Sequence, residues 1–116
     1  MSKKRALVVD DSSLARMMVR KIFSTRFTEW ELLEAKDGEE ALAVAGGEIH
    51  LALLDFNMPG MNGIELAEKL MVQYPGIALY LVTANIQERM QQKADALGIG
   101  FIKKPIAEHK LVEIMG

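Results

Sequence analysis

Short apolar runs alternate with amphipathic stretches along the chain, and this alternation constrains the fold more than any other feature of the sequence. Five runs are predicted to be strands, and each is followed by a stretch whose apolar residues have helical spacing. The first and third runs, Ala6–Val9 and Leu51–Leu54, are continuously apolar, which is typical of strands covered on both faces of a parallel sheet. The sequence therefore predicts an α/β domain with a doubly wound parallel sheet and right-handed crossovers.

Turn and capping residues set the predicted boundaries of these elements. Ser12 or Ser13 can cap the first helix, Gly46-Gly47 and Gly98 end the second and fourth helices, and Pro75-Gly76 ends the third. The predicted strands are residues 5–9, 31–35, 50–54, 77–82 and 101–103, and the predicted helices are residues 13–25, 39–45, 63–73, 86–97 and 107–115. Trp30 falls in the loop before the second strand. The predicted apolar face of the first helix consists of Leu14, Met17, Met18, Ile22 and Phe23.

Composition and charge exclude several functional classes. The chain has 116 residues, enough for one domain with a real core. It has no cysteine, which excludes disulfides, thiolate metal sites and cysteine nucleophiles. The net charge of -2 provides no broad basic field, so we expect no direct binding to nucleic acid. The apolar run after Lys3-Lys4-Arg5 is too short for a signal peptide or a membrane span, so we expect a cytoplasmic protein without membrane insertion.

Polar residues follow four of the five predicted strands. They are Asp10, Asp11, Asp55, Thr83 and Lys104. Ligands of doubly wound sheets bind outside the carboxyl ends of the strands, so we expect these residues to form one site. Carboxylates held close together repel one another, and burial raises the cost of their charge. A hard divalent cation such as Mg²⁺ would relieve that repulsion. Capping of the first helix by Asp10 or Asp11 is an alternative, but it does not account for Asp55.

Four motifs lie along the chain, namely Val8–Ser12, Leu54–Gly63, Val82–Ala84 and Lys103–Pro105. Their residues, order and spacing closely resemble those of the response-regulator receiver domain, the CheY-like phosphoacceptor of two-component signalling. Together they span essentially the whole chain. The resemblance implies a single receiver domain over residues 1–116, with a flavodoxin-like, five-stranded sheet in the order 2-1-3-4-5 and five helices.

The resemblance also implies a role for each residue of the predicted site. Asp55 would be the phosphoacceptor, a carboxylate nucleophile that takes a phosphoryl group from a phosphohistidine. Asp11, Asp55 and the backbone carbonyl of Asn57 would ligate Mg²⁺ directly, and Mn²⁺ could substitute for it. Asp10 would act mainly through a metal-bound water. Lys104 would place its ammonium against a phosphoryl oxygen.

Further residues of the family pattern would govern switching and hydrolysis. Thr83 would hydrogen-bond the phosphoryl group, and Phe101 would rotate inward into the space that the hydroxyl of Thr83 vacates. Asn57 and Asn85 would flank the path of the hydrolytic water and tune the rate of dephosphorylation. We therefore expect a phosphorylation-switched signalling domain with intrinsic self-phosphorylation and autodephosphorylation chemistry, rather than an enzyme.

The expected partners are proteins. A histidine kinase or histidine phosphotransfer protein would contact the first helix near Ser13, Leu14 and Met17 and the loop at Pro105-Ile106. A downstream protein target would read the surface of the fourth helix, fifth strand and fifth helix. The chain would be a monomer or a phosphorylation-dependent dimer.

Three alternatives stay open from the sequence. The chain is a receiver excised from a longer regulator, a pseudo-receiver that binds partners without phosphorylation, or a phosphatase of the haloacid-dehalogenase type. Such phosphatases need Asp-x-Asp on the nucleophile strand, whereas Asn57 occupies the second position here.

Overall fold

Strands and helices alternate along the chain in the order that the sequence predicts. The computed structural model describes residues 3–44 and 46–115, and within these ranges five strands alternate with five helices. The strands are β1 (Lys4–Val9), β2 (Trp30–Ala35), β3 (Leu51–Asp55), β4 (Ala78–Thr83) and β5 (Gly100–Lys103), and the helices are α1 (Ser13–Arg26), α2 (Gly38–Val44), α3 (Gly63–Gln73), α4 (Glu88–Leu97) and α5 (Glu108–Met115). The described strands pair in parallel in the order β2-β1-β3-β4-β5. The predicted fold class and strand order are confirmed.

The core lies on both faces of the sheet. Alternate residues of β3 divide between the faces, because successive side chains of a strand point to opposite sides. Leu54 packs in the apolar cluster on one face and Leu53 in the cluster on the other, and both are fully buried. Burial of a leucine side chain stabilises a fold by roughly 1.5–3 kcal/mol. The unbroken apolar runs of the central strands are therefore explained by burial on both sides.

The register of the sheet aligns the carboxyl ends of its strands. Val9 of β1 lies opposite Leu54 of β3, and Thr83 of β4 lies opposite Lys103 of β5. Pairing continues past β5, where the backbone N–H of Lys104 donates to the carbonyl oxygen of Thr83 at 2.9 Å. The residues that follow the strands therefore meet at one edge of the sheet.

The start of α3 lies against the end of β3, and Gly63 makes this approach possible. A Cβ atom at residue 63 would lie 2.8 Å from Cδ2 of Leu81 and 2.9 Å from the carbonyl oxygen of Asp55. Real Cβ atoms essentially never approach other atoms so closely, hence glycine is needed here. Asn62 and Glu65 form a capping box that fixes where the helix begins.

Most predicted boundaries agree with the structure within one or two residues, but the placement of Trp30 was wrong. Trp30 begins β2 instead of lying in the preceding loop. Its ring meets that of Phe23 edge-on at 6.4 Å and that of His50 at 6.5 Å. These ring contacts stabilise Trp30 as the first residue of β2. The predicted end of the second helix at residue 45 lies outside the described residues.

The predicted apolar face of the first helix is correct only in its second half. Phe23 is buried, together with Val19, whereas Leu14, Met17 and Met18 are 61%, 50% and 46% exposed. Three residues separate β1 from α1, so the first turns of the helix lie at the edge of the sheet, where the strand has already ended. Among the described helices, none is long and apolar enough to cross a membrane.

Candidate metal and phosphoacceptor site

Carboxylates from two neighbouring strands converge at the carboxyl edge of the sheet. Asp10 and Asp55 are 4% and 3% exposed, and Asp11 is exposed beside them. One carboxylate oxygen from each of these residues lies within 4.8 Å of the others. Oxygen ligands on opposite sides of an octahedral Mg²⁺ are separated by about 4.2 Å, since each bond is about 2.1 Å long. The donor set and its spacing therefore fit Mg²⁺ with a small closure of the side chains.

The ammonium of Lys104 lies between the buried carboxylates. Its Nζ is 3.2 Å from Oδ1 of Asp55 and 3.5 Å from Oδ2 of Asp10, and its side chain is 33% exposed. Lys103, by contrast, is exposed. Lys104, rather than Lys103, therefore lies with the buried aspartates at this edge of the sheet.

The charges of the site shift the pKa values of Asp55 and Lys104. Burial raises the pKa of Asp55, and the charge of Asp10 raises it further, although Lys104 and the backbone N–H of Asn57 act in the opposite direction. Burial favours the neutral amine of Lys104, but Asp55 and Asp10 outweigh that effect and raise its pKa overall. Burial and the charge of Asp10 are thus the main causes of the raised pKa of Asp55, whereas the two carboxylates cause the raised pKa of Lys104. The site therefore favours an additional positive charge.

Both carboxylate oxygens of Asp10 have protein partners. Oδ1 accepts a hydrogen bond from the backbone N–H of Ser12 at 2.9 Å, and Oδ2 faces Lys104. The cap of α1 itself is Ser12, whose Oγ accepts from the N–H of Ala15 at 3.2 Å. Asp10 thus contacts the start of the helix, as the capping alternative expected, and also belongs to the acidic cluster. Because both of its oxygens already have protein partners, Asp10 is better suited to contact a metal through a bound water than directly.

Thr83 and Phe101 face the same side of the sheet. Phe101 lies opposite Leu81 and packs, half-buried, against the apolar cluster that contains it. Thr83 follows Leu81 by two residues, so its side chain points to the same face. Thr83 is 2% exposed; its Oγ1 donates to the carbonyl oxygen of Asn85 at 3.2 Å and accepts from its N–H at 3.3 Å. Its hydroxyl is therefore bonded to the turn before α4.

The remaining predicted site residues lie at the rim. Asn57 and Asn85 are both exposed, on the loops that follow β3 and β4. Asn85 is bonded through its backbone to Thr83. The N–H of Asn57 acts on the pKa of Asp55, which places the start of this loop beside the carboxylate.

Two cations that hold the site's turns were missed by the sequence analysis. Nη1 of Arg16 donates to the carbonyl oxygen of Asp10 at 2.6 Å. Nζ of Lys110 donates to the carbonyl oxygens of Lys103 and Pro105 at 2.7 and 3.0 Å, on either side of Lys104. The peptide bond between Lys104 and Pro105 is cis. Neither contact is signalled by a motif, because each depends on how far a helix reaches back over its own preceding turn.

An apolar cleft of about 370 Å³ opens beside the acidic cluster. Asp10 and Lys104 form its polar end. The apolar lining comes from α1, the end of β4 and the loop after β5, namely Ala15, Met18, Val82, Ala84, Pro105 and Ile106. The exposed Leu14 and Met17 continue this surface along α1. An apolar surface therefore adjoins the candidate phosphoacceptor.

Comparison with known proteins identifies the family. Residues 6–115 match the family model of the response regulator receiver domain. A chemotaxis protein CheY homolog of Campylobacter jejuni is 31% identical over 121 residues, and the match covers 97% of this chain and 92% of that protein. The chain belongs to the response regulator receiver family, a family of signalling domains in two-component systems.

Solved structures agree with this assignment. A CheY-like receiver domain protein from Methanospirillum hungatei has a TM-score of 0.88 and 30% identity, over 98% of this chain and 91% of that one. The CheY of a Borrelia burgdorferi CheX-CheY-BeF3-Mg complex has a TM-score of 0.82 and 26% identity, over 95% and 84%. Receiver domains bind Mg²⁺ at an acidic pocket and interact with kinases, phosphotransfer proteins and downstream targets.

Longer relatives also match. The chain spans less than half the length of the first curated relatives that it matches; it covers 29% of the cyclic di-GMP phosphodiesterase response regulator RpfG of Xanthomonas campestris, at 34% identity over 109 residues. In these proteins the matching region is one part of a larger chain.

We predict that Asp55→Asn raises the melting temperature of the metal-free protein, because it removes one of two repelling buried carboxylates. The pKa of Asp55 is raised in the folded state, so the folded protein holds this proton more tightly than the unfolded chain does. Metal-free stability should therefore fall as pH rises from the ordinary titration range of aspartate through the raised pKa, and this fall should be smaller in the variant.

Thermal unfolding in a chelator, from acidic to neutral pH, measures this effect. The exposed Asp95 supplies the control, since Asp95→Asn should leave the pH profile unchanged. With Mg²⁺ added, wild type should become more stable than Asp55→Asn. An ion bound only by the folded state stabilises it by about 2.7 kcal/mol at roughly a hundredfold excess over Kd. A wild-type melting curve that does not respond to Mg²⁺ would contradict the site.

Proposed function

We propose that this chain is a phosphorylation-switched receiver domain that accepts a phosphoryl group on Asp55. The donor is the phosphohistidine of a histidine kinase or a histidine phosphotransfer protein, and the product controls binding to a downstream protein. The observation that carries the proposal is the convergence of Asp10, Asp11 and Asp55 with the ammonium of Lys104 at the carboxyl edge of the sheet. Membership of the receiver family supports it.

The chemistry is a phosphoryl transfer between two nucleophiles. A carboxylate oxygen of Asp55 forms a bond to phosphorus while the bond from phosphorus to the donor's imidazole nitrogen breaks, which leaves an acyl phosphate and a free histidine. The transition state is loose, so catalysis depends on position and electrostatics more than on acid-base groups. Lys104 supplies a positive charge beside the acceptor oxygen, at 3.2 Å in this structure.

Mg²⁺, or Mn²⁺ in its place, would neutralise charge on the phosphoryl oxygens and align them for in-line transfer. Asp11, Asp55 and the backbone carbonyl of Asn57 are the proposed direct ligands. Asp10 acts through a water, since its own oxygens already contact Ser12 and Lys104. Burial of the Asp55 carboxylate beside the charge of Asp10, which raises the pKa of Asp55, supports the binding of a cation there.

Loss of the phosphoryl group requires a water in line with the acyl phosphate. Asn57 and Asn85 are exposed at the rim, where their amides can orient a water but cannot remove its proton. We therefore assign them to tuning of autodephosphorylation, with a phosphoryl lifetime between those of fast and slow receivers. This self-phosphorylation and self-hydrolysis serve signalling rather than turnover of an external substrate.

The proposed switch couples Thr83 to Phe101. The hydroxyl of Thr83 now bonds to the backbone of Asn85, and a phosphoryl group on Asp55 would offer it a charged acceptor instead. Movement of Thr83 frees space on the face of the sheet where Phe101 is half-buried. Inward rotation of Phe101 then changes the surface of α4, β5 and α5 that a downstream protein reads.

The domain extends over residues 1–116 in this proposal and acts in the cytoplasm without binding nucleic acid directly. It works as a monomer or as a dimer that forms on phosphorylation. The Asn at position 57, where haloacid-dehalogenase phosphatases carry their second aspartate, disfavours that enzyme class.

Incubation with acetyl phosphate tests the acceptor and the metal together. We expect intact-mass analysis to find a single phosphoryl adduct on wild type with Mg²⁺, and no adduct with a chelator or on Asp55→Asn. The exposed Asp95 again gives a matched control, because Asp95→Asn should be modified like wild type. Absence of an adduct on wild type, even with a phosphohistidine donor and rapid quenching, would favour a receiver that signals by binding alone.

A comparison of the free and beryllofluoride-bound protein tests the switch. With Mg²⁺ and beryllofluoride present, we expect the ring of Phe101 to be more deeply buried than in the free protein. Phe23, which is buried on the opposite face, should keep its environment and serves as the internal reference. Structures or aromatic NMR shifts report both rings, and identical environments of Phe101 in the two states would rule the switch out.

Two kinds of phosphodonor test the proposed docking surface. Leu14→Gln and Met17→Gln alter exposed apolar side chains of α1 without a change of charge. We expect them to slow transfer from a phosphotransfer protein that phosphorylates wild type, and to leave the rate with acetyl phosphate unchanged. Val72→Gln is the control, because Val72 is 83% exposed on α3 and lies outside the proposed surface. Equal losses with both donors would contradict this map of the interface.

A further inference from the structure

We propose that Arg16 is a positioning residue for the candidate Mg²⁺ site, and that it holds the peptide group between Asp10 and Asp11 in the orientation that the metal requires. The proposal rests on the proposed function, since it concerns the same site. It extends that function to a residue of α1 that carries no part of the family pattern described above.

The contact is direct and partly shielded from water. Nη1 of Arg16 donates to the carbonyl oxygen of Asp10 at 2.6 Å, and the side chain of Arg16 is 20% exposed. A hydrogen bond from a charged donor is shorter and stronger than one between neutral groups. This contact therefore restrains the main chain at the turn between β1 and α1.

The restrained carbonyl joins the two acidic residues. A peptide group is planar, so a restraint on its oxygen restrains two backbone dihedral angles, ψ of Asp10 and φ of Asp11. The N–H of Asp10 is held as well, because it donates to the carbonyl oxygen of Ala35 at 3.1 Å. Both peptide groups flanking Asp10 are therefore anchored, one by the sheet and one by Arg16. The direction of the exposed Asp11 carboxylate depends on the second anchor.

Arg16 is itself held in place by the sheet. Its Nε lies 3.5 Å from Oε1 of Glu34, a residue of β2 that lies opposite Val8. Glu34 also binds Arg20, through two hydrogen bonds of 2.6 and 2.9 Å. Arg16 and Arg20 therefore lie on the same helix and contact the same glutamate. Within the described residues, however, only Arg16 of the two donates a hydrogen bond to the acidic site.

Two effects of Arg16 on a bound cation oppose one another. Its positive charge near the cluster repels Mg²⁺, whereas its hydrogen bond orders the turn that carries two of the carboxylates. We infer that the ordering is the larger effect, because Nη1 of Arg16 contacts the carbonyl oxygen of Asp10 directly, whereas its Nε lies near the opposite charge of Glu34. The sign of the change in Mg²⁺ affinity therefore decides between the two.

Titration of the protein with Mg²⁺ by calorimetry tests the proposal without any phosphorylation step. We expect Arg16→Gln to weaken Mg²⁺ binding roughly ten- to a hundredfold, the range found when partners that orient metal ligands are removed. Arg20→Gln removes the stronger contact with Glu34 and should change the affinity by less than about twofold, since it leaves Asp10 untouched. Arg16→Lys keeps the charge and one donor, so its affinity should lie between those of wild type and Arg16→Gln.

Each outcome has a defined meaning. Unchanged or tighter Mg²⁺ binding by Arg16→Gln would overturn the positioning role, and equal weakening by Arg20→Gln would show a general loss of helix packing instead. If Arg16→Gln does not fold, as judged by circular dichroism, Arg16→Met decides, because it keeps the apolar part of the side chain without a donor, and wild-type affinity in that variant would overturn the role. Failure of the proposed function is distinguishable, because it appears as the absence of a phosphoryl adduct on wild type, whereas this titration measures Mg²⁺ binding alone.

Discussion

The electrostatic conflict between Asp10 and Asp55 is the constraint on which the functional part of the structure depends. Parallel pairing places the residues after β1 and β3 at the same level, and the fold buries both carboxylates with one shared ammonium from Lys104. Three carboxylates, counting the exposed Asp11, meet this one ammonium, and burial together with the charge of Asp10 raises the pKa of Asp55. Negative charge is therefore in excess at this point of the fold, and in the proposed function this excess recruits a cation and, through it, a phosphoryl group.

The strands and the residues of the candidate site could be predicted from the sequence, because both follow from the alternation of strands and helices along the chain. Parallel strands have their carboxyl ends at one edge, so residues such as Asp10, Asp55 and Lys104 meet whatever the details of packing. Trp30 and the first turns of α1 were misplaced for a common reason: burial there depends on where the sheet ends, which no local pattern records. The bond from Arg16 to Asp10 was missed for a different reason, since it depends on how far a side chain of α1 reaches back over the turn that precedes the helix.

The exposed apolar residues of α1 are best understood together with the acidic site. An aspartate that is 3% exposed cannot be reached by a donor's imidazole unless the donor is seated closely beside it. Leu14, Met17 and the cleft lined by Ile106 provide an apolar surface at that point. In the proposed function, association with the donor through this surface depends on burial of apolar area, whereas phosphoryl transfer depends on charge. These two roles then lie on separate side chains, so docking residues can change without altering the chemistry.

Rigidity and movement are divided between the two sides of the site. On one side, Arg16 and Lys110 each donate to backbone carbonyls of the turns that carry Asp10 and Lys104, so the metal ligands and the ammonium keep their places. On the other side, the hydroxyl of Thr83 makes bonds of 3.2 and 3.3 Å to the next turn, which are long for a hydroxyl. A new negative charge at Asp55 would therefore move the weakly held hydroxyl of Thr83 rather than the restrained turns. In the proposed switch, this difference in restraint directs the structural response toward α4 and β5 and away from α1.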